Sequence, residues 1–385
     1  MGNTAVVVGG GIGGLAAAIG LYRIGWGVTV VERASIREDA GAGISLAANG
    51  LRALDELGVG EAVREASRGQ YSGGTRTPRG GRLARLDGSA LEKAVGAPIM
   101  GIPRSALHRI LRGSLPAESL VIGSEVARVE QTGPGTVQVD CGARVLNADL
   151  VVAADGIGSR VRGRLFPDHP GPVHSGSTVL RAITEHAVDL RTDFELTWGR
   201  GAEFGHIAFL DGRAEWHAVL SRPAGTRFAD PLAEMRRRFH TWHDPIPALL
   251  DATRPAAVLH HDVNELRTPL PAYAVGRIAL LGDAAHAMTP NLGQGACQAL
   301  EDAVTLTAAL GTGSSVETAL ARYDAERRPR SQAVARAARQ AGRMGQQLSH
   351  PLAVTLRNTA MRLTPSRVAT RMILRHHAWV PPSLQ

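Results

Sequence analysis

Lysine is almost missing from this chain. Lys93 is the only one, so the 43 basic residues that outnumber 35 acidic ones, for a net charge of +8, are nearly all arginine. The basic residues are dispersed and make no stripe interleaved with aromatics, which excludes a nucleic-acid-binding surface. The positive charge instead suits the attraction of anionic cofactors such as NAD(P)H. Aromatic residues are scarce at 4%. Two cysteines, Cys141 and Cys297, make no disulfide framework and fit a reducing cytoplasm. No apolar run reaches the roughly 18 residues that span a bilayer. The first strand begins almost at once, leaving no room for a signal peptide. No internal repeat is present. With 385 residues, two domains are expected. Cytoplasmic location, no membrane contact and a monomer or homodimer are the corresponding expectations.

What is present begins at residue 5. An apolar strand, Ala5-Val6-Val7-Val8, leads into Gly9-Gly10-Gly11-Ile12-Gly13-Gly14, a helix, a second strand, Val28-Thr29-Val30-Val31, and then Glu32-Arg33. Gly9, Gly11 and Gly14 fit G-x-G-x-x-G, the dinucleotide-binding turn. The first glycine permits the turn, the second lets backbone approach a pyrophosphate, and the third lets helix and strand pack closely. The helix N-terminus offers unpaired N–H groups to phosphates. Glu32, eighteen residues past Gly14, stands where a carboxylate accepts from ribose hydroxyls, with Arg33 beside it. The motif alone does not choose between FAD and NAD.

Two further signatures follow. Asp149–Ala154 is an apolar strand ending in Asp155-Gly156-Ile157-Gly158-Ser159-Arg160-Val161-Arg162. Gly276–Leu281 ends in Gly282-Asp283-Ala284-Ala285-His286, followed by Pro290-Asn291-Leu292-Gly293-Gln294-Gly295-Ala296 and a helix from Cys297. Each puts a glycine or acid at the carboxyl end of a strand, where open α/β sheets bind ligands. Between them, residues 167–275 carry alternating runs at Thr178–Ile183, Glu203–Leu210 and Glu215–Leu220, read as antiparallel strands. Asp211-Gly212 suggests a hairpin. The Gly/Arg-rich segment 73–98 joins the same layer. The fold class is therefore α/β: a Rossmann-like nucleotide-binding domain (1–72, 99–166 and 276–340), an interleaved antiparallel β-sheet substrate domain (73–98 and 167–275), and C-terminal helices (341–385).

Together these signatures, in this order and spacing, resemble the para-hydroxybenzoate hydroxylase-like FAD monooxygenases over nearly the whole chain. Ile102-Pro103-Arg104-Ser105-Ala106-Leu107 matches that family's R-x-x-L element. The resemblance implies noncovalent FAD, with Glu32 on the adenosine ribose, Arg104 near the ribityl–pyrophosphate region, and Asp283 on the ribityl chain. It implies that Gly295 and Ala296 present N–H groups to the flavin N1–C2=O edge, where a helix N-terminus stabilises negative charge, and that Gly293 in the same loop binds the cofactor. Asp155-Gly156 would touch FAD and serve the reaction with NAD(P)H. A single fingerprint means NAD(P)H visits transiently as co-substrate, and Gly41-Ala42-Gly43-Ile44 has the small residues a mobile flavin needs.

The implied reaction uses NAD(P)H and O2 and passes through a flavin C4a-hydroperoxide. It hydroxylates or epoxidises an electron-rich aromatic, polycyclic or isoprenoid small molecule. A phenolic substrate calls for a base, and His206 and His217 on the antiparallel layer are the candidates. Arg181 is a candidate for a substrate carboxylate, and Pro290 borders the reacting region. Val179-Leu180-Arg181-Ala182-Ile183 lacks the aromatic many relatives carry beside this strand, which points to an apolar substrate. His260-His261-Asp262 is no metal site, because adjacent strand residues point to opposite faces. Two other readings are an FAD halogenase, disfavoured by the absence of W-x-W-x-I-P at Trp242–Pro247, and a flavin- or ligand-binding protein without catalysis. The basic, amphipathic tail Met361–Gln385 could cover the pocket, sit on a partner subunit or lie on a membrane, and packing on the domain is the default expectation.

Overall fold

The computed structural model describes residues 2–35, 42–133, 135–142 and 144–384. Six strands form the nucleotide-binding sheet, in the order Ala274–Val275, Ile278–Leu280, Leu150–Ala153, Thr4–Val8, Gly27–Glu32, Leu120–Ile122. All neighbours are parallel except the first pair. Parallel strands covered on both faces read as continuous apolar runs, and Val6, Val7, Val8 and Leu150–Ala153 are all buried. The helix Ile12–Arg23 packs on this sheet and against Gly295–Gly311, which is buried on nearly every side. The contact is tight: a Cβ on Gly20 would stand 2.1 Å from Thr307 Oγ1.

The second layer is a seven-stranded sheet ordered Leu259–Glu265, Val173–Ile183, Ala214–Ser221, Ala202–Ala208, Phe194–Trp198, Ser72–Arg76, Arg82–Asp87. Ala202–Ala208 and Ala214–Ser221 are the hairpin announced by Asp211-Gly212. Side chains alternate between its two faces. One set, including Leu180, Phe204, Trp216, Ala218 and Leu220, forms an apolar core with the helices Pro231–Phe239 and Ile246–Asp251. The alternate set carries Arg181, Glu203, Glu215, His217 and Val219.

A three-stranded sheet, Gly43–Leu46, Ile99–Pro103 and Arg68–Gln70, is seated on that second face. Glycine makes the approach possible: a Cβ on Gly43 would meet Glu215 Cβ at 2.7 Å, and one on Gly101 would meet Ile207 Cγ2 at 2.5 Å. The segment expected to be a mobile loop is thus, from Gly43, a paired strand, while Gly41 lies outside the described residues. The smallness of Gly43 serves packing. The helix Val316–Met344 runs past residue 340, where a boundary was expected. The helices Pro351–Leu363 and Ser366–His377 then lie along Arg82–Asp87. The end of the chain is held by Arg52, which donates to His377 O (3.0 Å) and Trp379 O (2.6 Å).

Candidate active site

The glycine turn has the geometry its spacing predicts. Gly9 sits at φ 107°, and a Cβ there would stand 2.3 Å from Ala154 O. A Cβ on Gly14 would stand 1.9 Å from Gly9 O, so helix and strand meet only because that residue is glycine. A Cβ on Gly11 would meet nothing within 4 Å. It would project into open space beside the helix N-terminus, where a pyrophosphate fits. Glu32 Oε2 accepts from Gly10 N (2.6 Å) and Oε1 from Ala34 N (2.7 Å), so the carboxylate braces the turn and keeps free lone pairs toward the cleft. A cavity of about 230 Å³ opens here, lined by Gly9, Gly11, Glu32, Arg33, Asp155 and Gly156 among others.

Asp155 divides its carboxylate between two tasks. Oδ2 accepts from Arg160 N (2.9 Å) and Val161 N (3.3 Å), anchoring the helix Arg160–Leu165. Oδ1 is buried without a partner. Arg162 lies beneath and ties two signatures together: it donates to Ile157 O (2.6 Å) and Ala284 O (3.1 Å). Burial lowers the pKa of its guanidinium, against the pull of the Asp155 and Asp283 carboxylates. Asp283 itself is exposed at the start of its short helix. Gly282 before it takes φ 62° and ψ −135°. Gly295 also leaves space, with nothing within 4 Å of an added Cβ, and the helix it opens has no side-chain cap. Arg104 is half-buried at the start of the helix Arg104–Gly113, its N–H donating to Ala42 O (2.9 Å). Open glycines, an orphaned carboxylate oxygen, an exposed acid and an uncapped helix N-terminus are a donor and acceptor set that fits FAD.

A buried network fixes the turn that presents Asp283. Asp302, fully buried, accepts from Gly282 N (2.9 Å), His286 Nε2 (2.5 Å) and Arg327 Nε (2.7 Å). Burial opposes its charge, but His286 and Arg327 outweigh that and bring its pKa down to about 2. Arg327 also pairs with the buried Glu301, which receives Arg330 (2.6 Å) and Asn49 (2.7 Å). His286 therefore serves this network.

On the sheet face that receives Gly43–Leu46, Arg181 and His217 stand opposite each other in register, and Gly205 stands opposite His217 on the next strand. A Cβ on Gly205 would stand 2.4 Å from His217 Nε2, so the glycine makes room for the imidazole. His217 Nδ1 lies 3.2 Å from Glu215 Oε2, and Nε2 lies 3.9 Å from Glu203 Oε1. Burial alone would lower the histidine's pKa; the two carboxylates outweigh it and raise it. Burial likewise raises Glu203, whose other oxygen accepts from Trp198 Nε1 (2.5 Å). Arg181 donates to Gly43 O (3.1 Å) and sits 3.6 Å from Glu215, so its charge is already matched. Val219, two residues past His217, borders a small cavity with Pro290, which places this face beside the flavin loop.

His206 does not belong with His217. It is one residue out of phase, so it faces the opposite way, on the same side as Phe204. It is buried, with Nε2 3.0 Å from Thr192 O, and burial lowers its pKa. It lies on the face of the sheet that packs on the outer helices. The sequence reading passed over Glu215 and Glu203. The first was legible, because Glu215-x-His217 on a strand shares one face. The second needed the cross-strand register.

Residues 3–338 match the family model described as "FAD binding domain". The chain is similar to the "Aurachin C monooxygenase/isomerase" of Stigmatella aurantiaca, 36% identical over 95% of each chain. It is also similar to the "3-amino-4-hydroxybenzoate 2-monooxygenase PtmB3" of Streptomyces platensis, 35% identical over 87% of each. Among solved structures, Klebsiella pneumoniae HpxO with FAD and uric acid superposes with a TM-score of 0.91 at 25% identity, covering 99% of this chain and 97% of that one.

Proposed function

The chain belongs to the FAD-dependent monooxygenases, and from that premise we propose that it oxygenates an electron-rich aromatic or polycyclic ring held against the sheet face of Arg181, Glu215 and His217. The arrangement of His217 between Glu215 and Glu203, beside the Pro290 loop, carries this reading. FAD, reduced by NAD(P)H, supplies the activation of O2 when bound. Gly9, Gly11, Gly14, Glu32 and Arg33 would hold its adenosine and pyrophosphate end. Arg104, Asp155 and Asp283 would hold its middle. Gly293, Gly295 and Ala296 would face its ring.

The rest of the chemistry falls to side chains. His217 takes the proton of a ring hydroxyl or ring N–H, raising electron density where oxygen enters, and Glu203 stabilises the imidazolium that forms. Arg181 is balanced by Glu215 and held on Gly43, so it orients the pocket wall and leaves no unmatched charge for a substrate carboxylate. Leu196, Ile207 and Val219 share this face and exclude water. The substrate class is therefore a neutral ring with an acidic proton. The ring hydroxyl agrees with the relative named for 3-amino-4-hydroxybenzoate, whose carboxylate Arg181 would not receive here; another relative is named an aurachin C monooxygenase. Lys93, the sole lysine, is exposed on the helix Gly88–Val95 and lines neither cavity, which gives the halogenase reading no reactive amine.

The test is His217→Asn with a panel of hydroxylated aromatics and quinolones. Loss of a positioned base costs about 10²- to 10⁴-fold. The variant should keep its flavin and lose product formation on that scale. Wild-type kcat/KM in His217→Asn would remove the base from this face.

A further inference from the structure

The helix Pro351–Leu363 is built inside out. Its one buried side chain is Arg357, while three leucines stand largely exposed: Leu352 at 75%, Leu356 at 73% and Leu363 at 76%. At 100° per residue, positions 352, 356 and 363 fall within about 40° of one another, a single stripe. Arg357 lies on the other side. It donates to Gly345 O (2.8 Å) and Met344 O (3.3 Å), and its guanidinium stands 5.2 Å over the Trp198 ring. Ala353, Val354, Asn358 and Met361 are half-buried on that inward side. The helix is thus anchored by a charged residue and presents leucine to solvent, the reverse of a surface helix in a globular protein.

Charge singles out the same region. Eleven of the 43 basic residues and none of the 35 acidic ones lie in residues 327–385, leaving residues 1–326 with 32 basic and 35 acidic. The excess that the sequence reading took as dispersed is concentrated in the C-terminal part. Neither Pro351–Leu363 nor Ser366–His377 contains an acid. A second copy placed face to face would set one acid-free surface against another. Arg327, Arg328, Arg330 and Arg339 pair with acids elsewhere in the chain, and Arg357 turns inward. Arg362, Arg371 and Arg375, however, are exposed on these two helices, and an anionic surface with an apolar interior matches them and the leucines.

We propose that the leucine stripe of Pro351–Leu363 docks the enzyme on anionic lipid bilayers, lying in the interface. Among the described residues no helix is long and apolar enough to cross a membrane, so the contact is superficial. This sets aside the general expectation of no membrane contact and takes up, on the helix just before it, the membrane alternative left open for the tail Met361–Gln385; the inward side of the helix packs on the domain. It does not depend on the substrate proposed above. It places the protein where an apolar substrate dissolves.

Co-sedimentation of the FAD-loaded full chain with vesicles tests it. Vesicles of phosphatidylcholine plus phosphatidylglycerol should carry the protein down, and phosphatidylcholine alone should not. Salt at about 1 M, where screening shortens to about 3 Å, should weaken the binding. The triple variant Leu352→Ser, Leu356→Ser, Leu363→Ser should partition about tenfold less or weaker still, with its flavin absorbance intact. Arg362→Glu, a single exposed change, should bind anionic vesicles less tightly and provides a reading if the triple variant fails to fold. Failure of the wild type to sediment overturns the proposal. So does binding that the leucine and Arg362 changes leave untouched. A wild-type dimer by light scattering that the triple variant dissociates, without vesicle binding, would assign the stripe to a second copy and equally overturn it.

Discussion

Two carboxylates define this molecule at the scale of single residues. Asp283 is exposed beside a glycine of positive φ, at the end of a parallel strand, where it can accept from vicinal hydroxyls. Charge-assisted hydrogen bonds contribute about 1.5–3 kcal/mol each. Asp283→Ala should therefore weaken FAD binding by about ten- to a hundredfold per bond lost, at about 1.4 kcal/mol per decade. Fluorescence titration of apoprotein with FAD measures it, and the fold should survive because the side chain is exposed rather than packed in the core. Glu215 acts through His217. A base works when neutral, so kcat/KM should rise with pH through a histidine pKa above the usual 6.5. Glu215→Gln removes part of what raises that pKa. The acidic limb of the pH profile should then move to lower pH. An unmoved limb would detach Glu215 and His217 from the rate.

Whole elements are held in register by the network centred on Asp302. It joins the Gly282 turn, the short helix Asp283–His286, the helix Gly295–Gly311 and the helix Val316–Met344. Removing one partner from a buried ionic cluster costs about 3–5 kcal/mol. Asp302→Ala should lower the denaturant midpoint accordingly and loosen FAD as the turn relaxes. The carboxylate's folded pKa, about 2, lies below its ordinary value of 3.8. Its contribution is full above that ordinary value and is lost as pH falls through about 2. A urea titration of the wild type and Asp302→Ala at neutral and acidic pH should show their difference shrinking in acid.

Elements are also where the sequence was most readable. The three strand ends at Gly9, Asp155 and Gly282 were legible because parallel strands are continuous apolar runs and their ligand turns need glycine. The hairpin at Asp211-Gly212 was legible from alternation. The face of His206 was not resolved from that of His217, although their spacing of eleven residues crosses a turn whose length sets the phase. Gly43 was read among the small residues a mobile flavin needs, and the packing use of its smallness shows only in the 2.7 Å approach of an added Cβ to Glu215 Cβ. The tail Met361–Gln385 was expected to pack on the domain, and the leucine stripe of the helix Pro351–Leu363 just before it was not legible, because an amphipathic pattern does not say which side faces in.

Across the whole molecule, the nucleotide-binding sheet and the seven-stranded sheet meet through the small sheet at Gly43–Leu46, with the Asp155, Asp283 and Pro290 turns gathered on one side and the His217 face on the other. In the reaction proposed for that arrangement, one atom of O2 enters a bound ring, and the other leaves as water with the two electrons that NAD(P)H supplies. The account is tested most directly by turnover under ¹⁸O2 with NAD(P)H and the aromatic panel, followed by mass spectrometry of the product. It predicts one labelled oxygen atom per product molecule, none from water, and loss of the labelled product in His217→Asn while flavin remains bound. Oxidation of NAD(P)H that yields only hydrogen peroxide with every ring offered, or a product whose new oxygen comes from water, would contradict it.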